Sequence, residues 1–174
     1  CLSVTGHTGV DTPNLDSLAR QGSVFNHAYS SCPSCIAARA SLFTGLAPNS
    51  HGRLGYKDQV PWNYDNMLAQ MFSDAGYQTH CSGKTHFFPQ RKHCGFHSTD
   101  SYEGSQNFDG TYVNDYREWL RDKTGGEFHE WDHGMSDNSW MARPSQLPEH
   151  LHNNWWTMNT ALVHATLTPP PQRP

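Results

Sequence analysis

The sequence predicts an α/β fold with a mainly parallel central sheet flanked by helices. Three observations carry this. Helix-like and strand-like segments alternate along the chain. The helices have recognisable start and stop residues. A strand-like run over 77–82 feeds directly into Gly83-Lys84. Alternation of this kind favours crossover connections between parallel strands.

The elements follow in order. Residues 2–10 are short, Gly-punctuated and loop-like. Thr12 can cap a helix and Pro13 suits its first position. Leu15, Leu18 and Ala19 recur at helical spacing, and Gly22 stops the run. Val24, Asn26 and Ala28 alternate with Phe25, His27 and Tyr29, which predicts a short strand. Ser30-Ser31-Cys32-Pro33-Ser34 is rich in turn residues. Cys35 to Phe43 is Ala-rich and closed by Gly45, so a second helix is expected there. Residues 49–64 predict a polar loop. Met67, Leu68, Met71 and Phe72 predict one apolar helical face, with Gly76 as its stop. Residues 87–112 read mostly as loop, 112–120 as helix, 124–148 as irregular and 151–167 as a last helix. Trp155 and Trp156 on that helix are expected in the core.

Composition narrows the function. The 174 residues suffice for one modest domain, 1–174, and no internal boundary is evident. With 35% hydrophobic and 16% charged residues, the chain is globular in class rather than disordered. A net charge of -4 without a long basic run argues against nucleic acid or an anionic membrane as partner. No apolar stretch approaches the roughly 20 residues of a membrane span. Five cysteines, Cys1, Cys32, Cys35, Cys81 and Cys94, are an odd number and do not form two zinc-type pairs.

The segment Cys35-Ile36-Ala37-Ala38-Arg39 carries the chemistry. Cys35 stands where a turn enters a helix, and a helix start favours an anion or developing negative charge. Arg39, four residues later, shares that helix face. A permanent cation beside a nucleophile suits attack on an oxyanion such as sulfate or phosphate. Two other readings of the same residues stand beside this one. Cys35 can be a buried small hydrophobe. Cys32-Pro33-Ser34-Cys35 can be a redox or metal pair.

The surroundings resemble a known family. Cys35-Ile36-Ala37-Ala38-Arg39-Ala40-Ser41-Leu42-Phe43-Thr44-Gly45 is similar to the type I sulfatase signature, Cys-x-Pro-x-Arg running to Leu-x-Thr-Gly. Gly83-Lys84-Thr85-His86-Phe87 resembles the second signature, Gly-Lys-x-His. Thr12-Pro13-Asn14-Leu15 through Ala19, Gly22-x-x-Phe25-x-x-Ala28-Tyr29, His51-Gly52 and Leu147-Pro148-Glu149 also look like family features. Ala37 departs from the usual Pro, in a Cys-x-Ala-x-Arg variant similar to that of some bacterial sulfatases matured by radical-SAM enzymes.

The resemblance implies part of an alkaline-phosphatase-like sandwich, incomplete at both ends. It implies a formylglycine-dependent sulfuric ester hydrolase, with Cys35 as formylglycine precursor and as one ligand of a divalent cation, Ca²⁺ or Mg²⁺. One hydroxyl of the hydrated aldehyde attacks sulfur and the other helps eject sulfate. Arg39 holds that group, and Lys84 and His86 bind the sulfate ester and move protons. In an extended segment Lys84 and His86 point the same way. A formylglycine-generating maturase, radical-SAM type favoured, is the implied partner. The substrate is a small-molecule or carbohydrate sulfate ester. Apart from the resemblance, Tyr102, Glu103 and the Trp131 region are candidates to line a substrate pocket, since pockets are often aromatic. Other metal ligands are expected outside this chain, because Asp11 and Asp16 at the helix entry are poor substitutes. The chain is thus expected to be an N-terminal fragment that is inactive alone. Two alternatives remain at this stage: a phosphonate or phosphate ester hydrolase of the same superfamily, and a non-catalytic zinc or redox module using Cys32 and Cys35.

Overall fold

The structure is a computed structural model that describes residues 1–103, 114–135 and 142–167. They fall into two compact units, Cys1–Ser31 and Cys32–Pro174.

In the first unit a helical turn, Ser3–Thr5, precedes helix α1, Pro13–Gln21. Pro13 opens α1 and Gly22 closes it, as the sequence predicts. Thr12 does not cap the helix with its side chain. Its hydroxyl donates to Asp16 Oδ1 instead, and Asp16 Oδ2 accepts from Ser3 Oγ. Asp16 is thereby a local fastener. The strand expected over 24–29 does not form. Phe25 and Tyr29 are 79% and 86% exposed. Within this unit no second strand is present to take up its backbone groups, and unpaired backbone has no reason to stay extended.

The second unit holds the core. Helix α2, Cys35–Thr44, ends at Gly45 in the left-handed conformation that glycine adopts without strain. A short helix α3, Pro48–His51, interrupts the predicted loop. Helix α4, Leu68–Asp74, is followed by strand β1, His80–Gly83. The apolar face predicted for α4 is only partly used. Met67 and Ala69 are buried, whereas Leu68, Met71 and Phe72 are exposed. Strand β2, Ser98–Ser101, pairs parallel with β1, His80 opposite Ser98 and Gly83 opposite Ser101. Sequence reasoning placed a loop there, because Ser-Thr-Asp-Ser has no apolar alternation. Pairing with β1 makes the strand, and Asp115 locks its end by accepting from Ser101 N and Oγ at 2.7 and 2.9 Å. Helices α5, Asp115–Thr124, and α6, Asn153–Leu167, complete the described elements. The start of the helix expected from Tyr112 lies outside the described residues.

Two apolar clusters form. In one, Ile36 and Ala40 of α2 pack with Trp62, Met67 and Phe87. Burying a side chain such as Ile36 is worth about 1.5–3 kcal/mol. In the other, Tyr116, Leu120, Leu151 and Trp156 meet between α5 and α6. Trp155 does not join them: it is 38% exposed, against 3% for Trp156. Neighbouring helical residues point about 100° apart, so one core cannot receive both. Buried Glu130 sits beside Arg117 and accepts from Asn114 Nδ2 at 2.8 Å, which secures the start of α5.

The fold leaves one backbone contact with no slack. A Cβ added at Gly95 would lie 2.1 Å from the Gln70 amide nitrogen, at a φ of +93°. Gly95→Ala is expected to destabilise the protein by about 3 kcal/mol or more, combining a backbone clash with left-handed strain. Chemical denaturation checks this, and an unchanged midpoint would contradict the packing described.

Candidate active site

Cys35 is the first residue of α2, and the first amides of a helix have no intrahelical acceptor. Ala37 is fully buried at the third position, so the helix starts cleanly without the proline usual at that place. Cys35 is half-buried and its thiol is free. The adjacent Ser34 hydroxyl is buried without a hydrogen-bond partner among the described residues. Arg39, one turn on, donates from Nη1 to the Cys35 carbonyl at 3.4 Å, which lays the guanidinium back along the helix start. Cys32 is buried, and its thiol donates to the Leu54 carbonyl at 3.8 Å. It packs as a small core residue and forms no disulfide with Cys35.

The second motif leaves the C-terminal end of β1. Parallel strands present their ligand-binding loops at that end. Gly83 ends β1, Lys84 is exposed, and Thr85, His86 and Phe87 are buried. The segment is not extended as predicted. His86 has a φ of +61°, so simple alternation does not set where Lys84 and His86 point. What shapes the segment is Glu103, just past β2. One of its carboxylate oxygens, Oε1, accepts from Thr85 N at 2.7 Å, Thr85 Oγ1 at 2.8 Å and His86 N at 2.8 Å. Glu103 is therefore turned inward under the loop, where it also lines a small cavity with Thr85, Phe87 and Arg91. Tyr102 packs its ring on Tyr116 at 5.0 Å, and Trp131 packs on His133 at 5.9 Å.

The two motifs come together: Cys35 packs against the cluster that holds Ile36 of its own helix and Phe87 of the second motif. Burial is the main cause that holds the His86 imidazole below its ordinary pKa. Lys84 and Arg39 push it the same way, while Glu103 and Asp58 oppose them. Arg39, Lys84 and His86 thus share one electrostatic environment. Cys35 joins it through Tyr56, whose phenol is raised by burial, then by Asp58, and also by Cys35. The Tyr56 ring lies 6.1 Å from the His86 ring, and Asp58 Oδ1 lies 3.7 Å from His86 Nε2.

Sequence reasoning missed Tyr56, Asp58 and Arg53, which lie on the loop after α3. Arg53 donates from Nε to Tyr64 Oη at 2.6 Å and from Nη2 to the Val60 and Pro61 carbonyls at 3.0 and 3.2 Å. Its guanidinium also sits 4.6 Å from the Trp62 ring centroid. His51, whose family-like position was noted, bonds Ser41 Oγ at 2.9 Å and accepts from Arg53 N at 3.1 Å. His51 and Arg53 thereby fold this loop against α2. A buried-arginine signal is weak in sequence, because most arginines lie at the surface.

Among the described residues, no group of three or more His, Cys, Asp or Glu is placed to hold a metal ion. The donor set of those residues does not fit a Ca²⁺ ion, which takes about six to eight oxygens. No helix among them is long and apolar enough to cross a membrane.

The sequence matches the family model described as Sulfatase over residues 2–159, and the chain belongs to the sulfatase family. It is 43% identical over 172 residues to an arylsulfatase of Clostridium perfringens, covering 93% of this chain and 36% of that protein. It is 33% identical over 156 residues to N-acetylgalactosamine-6-sulfatase of Mus musculus, covering 74% of this chain and 28% of that protein. The chain thus spans about a third of the length of the curated relatives it matches. In fold it is similar to the phosphonate monoester hydrolase of Agrobacterium radiobacter, with a TM-score of 0.71 and 21% identity, over 93% of this chain and 34% of that one. The chain thus shares its α/β fold with that hydrolase, in line with the α/β class predicted from the sequence.

His51, His80, His86 and His152 all have pKa values lowered from the ordinary histidine value, burial being the leading cause in each. A lowered folded pKa means the folded state favours the neutral ring. That stability is present above the unfolded value of about 6.5 and is lost as pH falls through the folded values. The thermal midpoint is expected to drop between pH 7 and pH 5.5. A flat or rising midpoint over that window would contradict the burial assigned to these rings.

Proposed function

We propose that these 174 residues form the N-terminal part of the catalytic domain of a sulfuric ester hydrolase, which cleaves a sulfate monoester to alcohol plus sulfate. What supports this reading is that the segment of Cys35 and Arg39 and the segment of Lys84 and His86 pack on one apolar cluster, in a chain of the sulfatase family. Formylglycine made from Cys35 supplies the oxygen nucleophile. Its position fits that group: the side chain is small, free and half-buried, and it adjoins a cationic helix start and the Ser34 hydroxyl, unpartnered among the described residues. Arg39 holds the group at residue 35 and offsets its charge. Lys84, an exposed mobile ammonium, reaches a sulfate oxygen. His86, neutral when its pKa is lowered, accepts or returns a proton at the ester.

A maturase oxidises Cys35, and the Cys-x-Ala-x-Arg form favours the radical-SAM type. The divalent cation, Ca²⁺ or Mg²⁺, draws its remaining ligands from outside the described residues, and no step here is assigned to it. The matched relatives carry the names of aryl and amino-sugar sulfatases, which favours an aryl or carbohydrate sulfate as substrate. The phosphonate hydrolase resembles this chain in fold alone and does not move the reading to phosphorus esters. A redox or zinc role for Cys32 is not supported, since its thiol is buried against the Leu54 carbonyl.

In the complete matured protein, Cys35→Ala is expected to abolish aryl sulfate hydrolysis while leaving the circular dichroism spectrum intact. Full turnover by that variant would remove Cys35 from the mechanism. Residues 1–174 in isolation are expected to hydrolyse no sulfate ester, and measured turnover by them would show that the cation-binding half is dispensable.

A further inference from the structure

We propose that Glu103 is the positioning residue of this site: its carboxylate sets the backbone of Lys84-Thr85-His86 from beneath. The proposal rests on the sulfatase reading only for its catalytic consequence, not for its geometry.

The argument begins with topology. β1 and β2 are parallel and in register from His80–Ser98 to Gly83–Ser101. Both strands therefore end on the same side of the sheet. Lys84 follows one end, and Tyr102-Glu103 follows the other. A carboxylate two residues past β2 can reach sideways under the loop that leaves β1. Glu103 does so while only 4% exposed. Its Oε1 is the common acceptor for Thr85 N, Thr85 Oγ1 and His86 N. Hydrogen bonds to an ionised acceptor are stronger than neutral ones and geometrically tighter.

Backbone conformation gives the second strand of the argument. His86 holds a left-handed φ of +61°, sparsely populated for residues other than glycine. Such a conformation persists only where surrounding contacts over-determine it. The bond from His86 N to Glu103 supplies one restraint. The packing of the next residue, Phe87, against Phe43 and Trp62 supplies another. Between these two anchors the imidazole has little freedom. Thr85 is drawn inward by the same carboxylate, and exposed Lys84 is presented outward on the preceding residue.

The other oxygen, Oε2, is buried and has no hydrogen-bond partner among the described residues. A purely structural role would be served by an uncharged acceptor with both polar atoms satisfied. Here the charge is kept close to His86, which is also faced by Asp58, Lys84 and Arg39. Glu103 thus supports the loop and places negative charge near the imidazole.

The test uses the complete matured protein with Glu103→Ala, Glu103→Gln and Thr85→Val. Gln keeps an acceptor oxygen for the two amides, so it is expected to restore most of what Ala loses. Hydrogen–deuterium exchange followed by mass spectrometry reads the peptide over 83–88. Glu103→Ala is expected to speed exchange there about tenfold or more, with peptides from α5 and α6 unchanged. Aryl sulfate turnover is expected to fall about 100-fold in kcat with little change in KM, since misplacing a catalytic group by about 1 Å has that effect. Glu103→Gln is expected to lose no more than about tenfold, and Thr85→Val less than Ala, because it leaves two of the three bonds to Glu103 in place while removing the longer bond from Phe87 N. Unchanged exchange over 83–88 in the Ala variant would overturn the proposal. So would exchange that rises across the whole protein, which marks a core residue instead. Should Glu103→Ala not fold, the Gln and Val variants decide by the same two readouts. If the wild type hydrolyses no sulfate ester but the exchange result holds, the sulfatase reading fails and the positioning stands.

Discussion

The edge-on packing of Phe43, Trp62 and Phe87 is the constraint on which the site depends. Phe43 belongs to α2, the helix that begins at Cys35. Phe87 directly follows His86. Their rings lie 4.9 Å apart, and the Trp62 ring lies 4.9 Å from Phe87 and 6.4 Å from Phe43, all in edge-to-face arrangements. Such pairs add about 0.5–1.5 kcal/mol beyond the area they bury. More important is what they join. Two segments about fifty residues apart in sequence are pinned to one cluster, and each carries one of the two sulfatase-like motifs at its adjacent end.

The polar layer above this cluster is built to match. Arg53 lies on Trp62 and closes the loop that brings Tyr56 and Asp58 toward His86. Glu103 holds the loop after β1 through the Thr85 and His86 amides. Two cations, Arg39 and Lys84, thus face the imidazole together with two carboxylates, Asp58 and Glu103. Near-balanced charge keeps the protein from a large burial cost, while the exposed ammonium of Lys84 stays free to meet an anion. A low-dielectric floor and a cationic rim suit a sulfate ester, whose charge must be held while a bond to sulfur breaks.

Much of this was legible in the sequence, for identifiable reasons. Helix α2 announces itself through Ala content and Gly45, and β1 through its approach to Gly83. The sulfatase family was readable from the ordered pair of motifs around Cys35 and Lys84. What escaped depends on contacts distant in sequence. Strand β2 is polar and exists through its pairing with β1. Asp58, Tyr56 and Arg53 lie on a loop with no periodicity. Glu103 reads in sequence only as a pocket-lining residue, because no local pattern reveals that a carboxylate turns under a neighbouring strand's loop. Conversely, Val24 to Tyr29 alternates convincingly yet forms no strand, since alternation describes a face and not the partner that must cover it.

The central claim is that the residue at position 35 is an oxidised cysteine at the start of α2, facing Arg39, Lys84 and His86. Mass spectrometry of the tryptic peptide over 21–39, taken from the complete protein matured in its own host, tests it most directly. The account predicts that residue 35 carries an aldehyde in place of its thiol, while Cys32 in the same peptide remains a free cysteine. A peptide in which both residues are unmodified thiols, from protein that nonetheless hydrolyses sulfate esters, would contradict it.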